Sequence, residues 1–136
     1  MLYIDVGFTG TRNGMSKNQK EGLVAAFLGY IILGYKIEFH HGACVGADVE
    51  ADHIARKIGC HMNIHPSNHR TRVHCEETGD TVFPAKPPLV RDKDIVNVVK
   101  VLIAAPKSNK EELRSGTWTT VRYARKKGIE IVILKR

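Results

Sequence analysis

His41-Gly42-Ala43-Cys44-Val45-Gly46-Ala47-Asp48 lies between a β-like run at 37–40 and an amphipathic helical run at 47–58. Gly42 and Gly46 let the backbone turn sharply and come close to a ligand. The helix that follows opens with N–H groups that have no partner inside it. Such an end attracts anions, phosphates above all. Strand, glycine turn and helix N-terminus together form the phosphate-cradling arrangement of nucleotide-binding α/β folds. The spacing is neither Gly-x-Gly-x-x-Gly nor a P-loop. Taken alone, the stretch therefore reads equally as a tight turn without a ligand.

Outward from this turn the alternation recurs. Residues 2–8 read as a strand, with Phe8-Thr9-Gly10-Thr11-Arg12 as the loop at its carboxyl end. Ser16-x-x-Gln19 has the form of a capping box. Leu23, Val24, Phe27, Leu28 and Ile31 follow at helical spacing, and Gly34 is the stop signal. Residues 36–41 are the second strand. Ala47, Ala51, Ile54, Ala55 and Ile58 form the apolar stripe of the next helix, which ends at Gly59; 61–65 is a short third strand.

Between 66 and 88 the pattern is lost among Pro66, Pro84, Pro87 and Pro88. A loop this long in a small domain is either a flap over a site or a plain surface excursion. Residues 89–96 read as a short helix. The runs 98–105 and 129–134 are almost continuously apolar, as strands buried on both faces are in parallel sheets. Between them, 117–127 reads as a helix entered through Ser115-Gly116 and left at Gly128. Strands alternating with helices imply right-handed crossovers and helices on both faces. The expected fold is an α/β, Rossmann-like three-layer sandwich with a five-stranded parallel sheet, order 3-2-1-4-5, in one domain spanning 1–136.

Hydrophobic residues are 43% and charged residues 26% of the chain, which places it among soluble globular proteins rather than disordered or fibrous ones. No apolar run reaches transmembrane length, and no basic segment leads into an apolar one, so no membrane partner or leader is expected. Cys44, Cys60 and Cys75 are odd in number and irregularly spaced, which argues for a reducing, cytoplasmic setting. The net charge is +7, and residues 107–136 hold nine Lys/Arg against three Asp/Glu. That bias suits polyanions or small anionic ligands, or it is simply a solvated helix face.

In an open parallel sheet, ligands bind at the carboxyl ends of the strands near the switch in strand order. Segments 7–12, 41–48, 106–108 and 115–119 converge there. Thr9, Thr11, Ser115, Thr117 and Thr119 supply hydroxyls, while Arg12 and Arg91 supply guanidinium forks for phosphate. Asp48 reads as a partner for a ribose hydroxyl or as a complement to the helix dipole. Cys44 reads as filler of a tight turn or as a nucleophile at a helix N-terminus. His65, His69, His74 and Cys75 match no common zinc spacing, so no metal is expected, and no motif requires a cofactor. Trp118 reads as a platform for a base, or as core or dimer packing, which leaves a homo-oligomer open.

Several short motifs come in order along nearly the whole chain. They are Thr9-Gly10-Thr11-Arg12, His41-Gly42-Ala43-Cys44-x-Gly46-Ala47-Asp48, His65-Pro66, Pro84-x-x-Pro87 and Arg91-x-Lys93-Asp94-Ile95-Val96. Leu102-Ile103-Ala104-x-Pro106 and Arg114-Ser115-Gly116-Thr117-Trp118 complete the series. In this the chain resembles the SLOG superfamily. That Rossmann-like group includes the Lonely Guy cytokinin-activating phosphoribohydrolases, the molybdenum-cofactor carriers and the core of DNA-processing protein A.

The resemblance implies a nucleotide or nucleotide-derived ligand, held as by a sensor or carrier. The residues implied to hold it are Thr9, Gly10, Thr11, Arg12, His41, Gly42, Gly46, Asp48, Arg91, Ser115, Gly116 and Thr117. An alternative is a nucleoside-monophosphate phosphoribohydrolase that cleaves the N-glycosidic bond. Those enzymes carry an arginine ahead of the fourth strand, matched by Arg91 as the catalytic candidate, and a Pro-Gly-Gly-x-Gly-Thr-x-x-Glu motif. Gly116-Thr117 match its Gly-Thr, but Thr120 stands in place of the glutamate. A hydroxyl cannot replace a carboxylate as general base near neutral pH. Asp92 stands where related small members have asparagine, and it would repel a phosphate unless Arg91 or Lys93 screens it. A second alternative is a nucleic-acid-binding module with the basic tail tracking phosphates. Against it, aromatics are only 7% and are not interleaved with the basic residues as stacking platforms are, and no helix-turn-helix or zinc-finger signature is present.

Overall fold

The computed structural model describes residues 2–136. Its elements are β1 (Leu2–Gly10), α1 (Lys17–Ile32), β2 (Tyr35–His41), α2 (Ala47–Ile58), β3 (His61–Ile64), β4 (Thr81–Val82), α3 (Pro88–Val98), β5 (Val101–Ala105), α4 (Gly116–Lys127) and β6 (Glu130–Ile133). The sheet has six strands, not five, in the order β4-β3-β2-β1-β5-β6, and every pairing is parallel. The expected order survives for the five longer strands. The added strand lies in the proline-rich excursion, where Thr81 and Val82 pair with Asn63 and Ile64 at the sheet edge. Two residues are too short a run to show a period in sequence.

Local signals place the helices. Ser16 and Gln19 complete the capping box of α1, with Gln19 N–H donating to Ser16 Oγ at 3.1 Å and Ser16 N–H to Gln19 Oε1 at 3.0 Å. Pro88 opens α3 at a position where its missing N–H costs nothing. Gly59 and Gly128 end α2 and α4 in left-handed conformation.

The two core layers follow from strand alternation. Val101, Ile103 and Ala105 of β5 face the layer under α1 and α2, where Phe8, Phe27 and Phe39 meet with ring centroids 5.1–5.9 Å apart. Leu102 and Ala104 face the layer under α3 and α4. Trp118 is 3% exposed and packs there with Val96, Val121 and Ala124, so it is core and no platform for a base. Leu28 and Ile31 of α1 are exposed at 47% and 42%. The buried stripe is Gln19-Leu23-Phe27, with Ala26 and Tyr30 beside it; the apolar arc of this helix is wider than one sheet can cover. On α2, Ala47, Ala51 and Ala55 are buried, and Asp48 and Asp52 are buried with them. Among the described residues no helix is long and apolar enough to cross a membrane.

Candidate functional site

β1 lies between β2 and β5, so the strand order reverses at its carboxyl end. An open cleft of about 560 Å³ sits there, within the size range of small-molecule sites. Thr9 and Gly10 line it from β1, Thr11 and Arg12 from the loop after it, Asp48 from α2, Arg91 from α3, and the N-cap Ser115 with Gly116 and Thr117 from the start of α4. Nine of the expected site residues thus share one cavity. His41, Gly42 and Gly46 stand behind its wall.

What these three do is visible in their contacts. His41 is fully buried; its Nδ1 accepts from Ala43 N–H at 3.0 Å, so its Nε2 carries the proton and donates to Asp52 Oδ2 at 2.7 Å. Gly42 is gripped from both sides: its carbonyl accepts from Arg91 Nη1 at 2.5 Å, and its N–H donates to Asp48 Oδ2 at 3.2 Å. A Cβ on Gly42 would fall on the Arg91 guanidinium. Gly46 has φ +96°, and a Cβ there would meet the carbonyls of Thr11 and Arg12. Ala47 N–H donates to that Thr11 carbonyl at 3.0 Å. The close approach that the glycines permit is between chain segments, and it locks the two loops of the cleft together.

Arg91 is 7% exposed. Its Nε donates to Asp92 Oδ1 at 2.7 Å, and its Nη1 also reaches the His65 carbonyl at 3.3 Å. His65 is held by His40 at 2.9 Å and stacks on Phe83 at 4.2 Å; burial, with His40 beside it, pushes its pKa down to about 3. Asp92 accepts from Thr120 Oγ1 at 3.2 Å through its second oxygen. The side chain that sequence casts as a repeller of phosphate is therefore paired with Arg91, as its screening requires. Burial raises the carboxyl pKa of both Asp48 and Asp92, against the pull of His41 and Arg91 on the first and of Arg91 on the second.

At α4, Ser115 Oγ accepts from Trp118 N–H at 3.2 Å. The first N–H groups of the helix, on Gly116 and Thr117, are left at the cleft. Lys107 and Arg114 join Arg12 along its lining. None of these three cations has an acidic partner among the described residues, whereas Arg122 and Arg125 share Glu111 at 3.1 and 2.8 Å. Arg136 Nη1 is bound to the carbonyls of Gly14 and Pro106 and to Gln19. Beyond the expected residues the lining includes Thr71, Asp92, Lys107 and Arg114; of these, only Thr71 had no signal in the sequence.

The excursion at 66–88 is tied down rather than free as a flap. Val45 N–H donates to the Thr71 carbonyl at 2.9 Å and Val73 N–H to the Ala43 carbonyl at 2.7 Å. Arg56 binds Asp52 at 2.7 Å and Asp80 at 2.6 Å. His41, Asp52 and Cys75 place ligand atoms within 4.8 Å of one another. Arg56 pairs with that carboxylate, and burial pushes the Cys75 thiol up to about 12.

No family model and no curated protein matches the chain. Solved structures do. The molybdenum cofactor binding protein of the phototrophic bacterium Rippkaea orientalis superposes with a TM-score of 0.71 at 17% identity, covering 98% of this chain and 77% of that one. DNA processing protein A of Streptococcus pneumoniae gives 0.70 at 17% identity, covering 96% of this chain and 50% of that one. The Moco carrier protein of Chlamydomonas reinhardtii gives 0.68 at 18% identity, covering 97% and 76%. At such identities the likeness is one of fold: the chain shares the Rossmann-like α/β fold of these proteins.

Proposed function

We propose that this protein binds a phosphorylated nucleoside or nucleotide-derived molecule in the cleft, as a sensor or carrier. The observation that carries the reading is the α4 N-terminus at Gly116 and Thr117, which shares the cleft lining with Arg12, Lys107 and Arg114, none of which has an acidic partner among the described residues. A helix N-terminus facing unpaired cations suits a phosphate. Two structures of the same fold are named for binding and carrying the molybdenum cofactor, which supports a ligand-holding role. Mass spectrometry of small molecules released from the purified protein tests the reading. A phosphorylated nucleoside or a related compound is expected. Absence of any such compound, together with no calorimetric binding of adenosine monophosphate, counts against it.

A second reading, N-glycosidic hydrolysis of a nucleoside monophosphate, draws support from one contact. The Asp92 carboxylate lies 3.2 Å from the Thr120 hydroxyl, so a carboxylate stands beside the position where the phosphoribohydrolase motif has glutamate. Under the first reading, adenosine monophosphate incubated with the protein releases adenine slowly or not at all. Brisk release that disappears in Asp92→Asn would move the assignment to the hydrolase.

A further inference from the structure

Four side chains of the cleft are more than nine-tenths buried: Thr9, Asp48, Arg91 and Thr117, at 9%, 5%, 7% and 6% exposure. Each has a polar atom with no protein partner among the described residues. These are Oγ1 of Thr9, Oδ1 of Asp48, Nη2 of Arg91 and Oγ1 of Thr117. Yet none is among the polar atoms sealed away without a partner, which are Arg72 Nε, Glu112 Oε1 and Trp118 Nε1. They therefore keep contact with solvent, and all four residues line the cleft. Four hydrogen-bonding atoms on buried side chains, none of them spent on the chain, thus lie around one cavity and are available to a ligand.

Asp48 and Arg91 make the most specific pair among them. Both hold Gly42, one by its N–H and the other by its carbonyl, and both line the cleft. Asp48 Oδ2 is committed to Gly42 and Cys44 N–H, at 3.2 and 3.1 Å, which leaves Oδ1 as an acceptor. Arg91 Nε and Nη1 are committed to Asp92, Gly42 and His65, which leaves Nη2 as a donor. A phosphate oxygen suits Nη2 but is repelled by the carboxylate. An ammonium group suits the carboxylate but cannot accept from Nη2. A sugar hydroxyl does both, because it donates one hydrogen bond and accepts others.

We propose that Asp48 Oδ1 and Arg91 Nη2 form a sugar subsite in which a ligand hydroxyl donates to the aspartate and accepts from the arginine. The ligand then carries two unlike ends, a phosphate at the α4 N-terminus and a free ribose hydroxyl at Asp48. This rests on the proposed phosphate site and names the other half of the molecule bound there.

Calorimetry with adenosine monophosphate, its 2′,3′-dideoxy analogue and inorganic phosphate tests the subsite. The wild type is expected to bind adenosine monophosphate at least about tenfold more tightly than the dideoxy analogue, the scale of one hydrogen bond to a charged group. Asp48→Asn keeps an oxygen for Gly42 and Cys44 but turns the free atom from acceptor to donor. It should abolish the preference between the two nucleotides, and thermal unfolding checks that it folds. Equal binding of the two nucleotides by wild type, or a preference that survives Asp48→Asn, overturns the sugar subsite and leaves the phosphate site standing. Failure of all three probes to bind overturns the phosphate site and the subsite together.

Discussion

Arg56 and Arg91 both rise from helices to meet aspartates and loop carbonyls, and they end in opposite states. Arg56 is one-fifth exposed and saturated: Nε binds Asp52, Nη1 binds Asp80, and Nη2 reaches Asp52, Asp80 and the Cys75 carbonyl. Arg91 is almost wholly buried and incomplete, with Nη2 open to the cleft. A charged donor costs most where water is scarcest. A saturated arginine near the surface therefore reads as a clamp on the chain, and an incomplete one in the interior as part of a binding site.

The largest expected effect tests the clamp. Asp52 and Asp80 have side chains 7% and 6% exposed, and Arg56→Met would leave both without their cation. A loss of about 3 kcal/mol of stability is expected, since breaking a buried pair strands a charge. Urea unfolding measures it; a change under about 1 kcal/mol would place Arg56 with ordinary surface pairs instead.

The second effect tests the incomplete partner. Arg91→Ala should weaken adenosine monophosphate binding roughly ten- to a hundredfold, or about 1.5–3 kcal/mol, read by calorimetry. Unchanged affinity in the folded variant would show that the open Nη2 serves no ligand.

A smaller effect isolates the helix N-terminus. Gly116 lines the cleft and has no atom within 4 Å of an added Cβ, so Gly116→Val adds bulk there without a backbone clash at Cβ. Affinity for the same nucleotide should fall about tenfold with the unfolding midpoint nearly unmoved. Unaltered binding by the folded variant would sink the phosphate site.

The smallest effect is in acid. Burial works against the charge on Asp52 and Asp80, yet hydrogen bonds from His41 and Arg56 hold Asp52 below the usual carboxylate range, and Arg56 holds Asp80 there. A depressed carboxyl pKa contributes stability that is full above the unfolded value, about 4, and is lost as pH falls through the folded value. Asp80→Asn should therefore flatten the acid limb of a stability–pH curve. An equally steep loss below about pH 4 would assign that limb to other carboxylates.

The chain's order of elements was legible because helix and strand periods are local. The capping box at Ser16, the alanine stripe of α2 and the apolar runs of β5 and β6 each need only their own neighbourhood. β4 was not legible, because Thr81 and Val82 become a strand only through pairing with β3. Trp118 was ambiguous for a similar reason, since its place in the second core layer depends on Val96 and Leu102, far from it in sequence.

Sequence by itself determined that glycine turns and hydroxyls gather at the carboxyl ends of parallel strands, because strand polarity and crossover handedness leave little choice. Tertiary structure alone decided which polar atoms are spent on the chain and which stay open. Gly42 lies forty-nine residues from Arg91 and Thr120 twenty-eight from Asp92. Hydrogen-bond accounting closes only when such distant groups meet, so the residue types were readable in advance and their free valences were not.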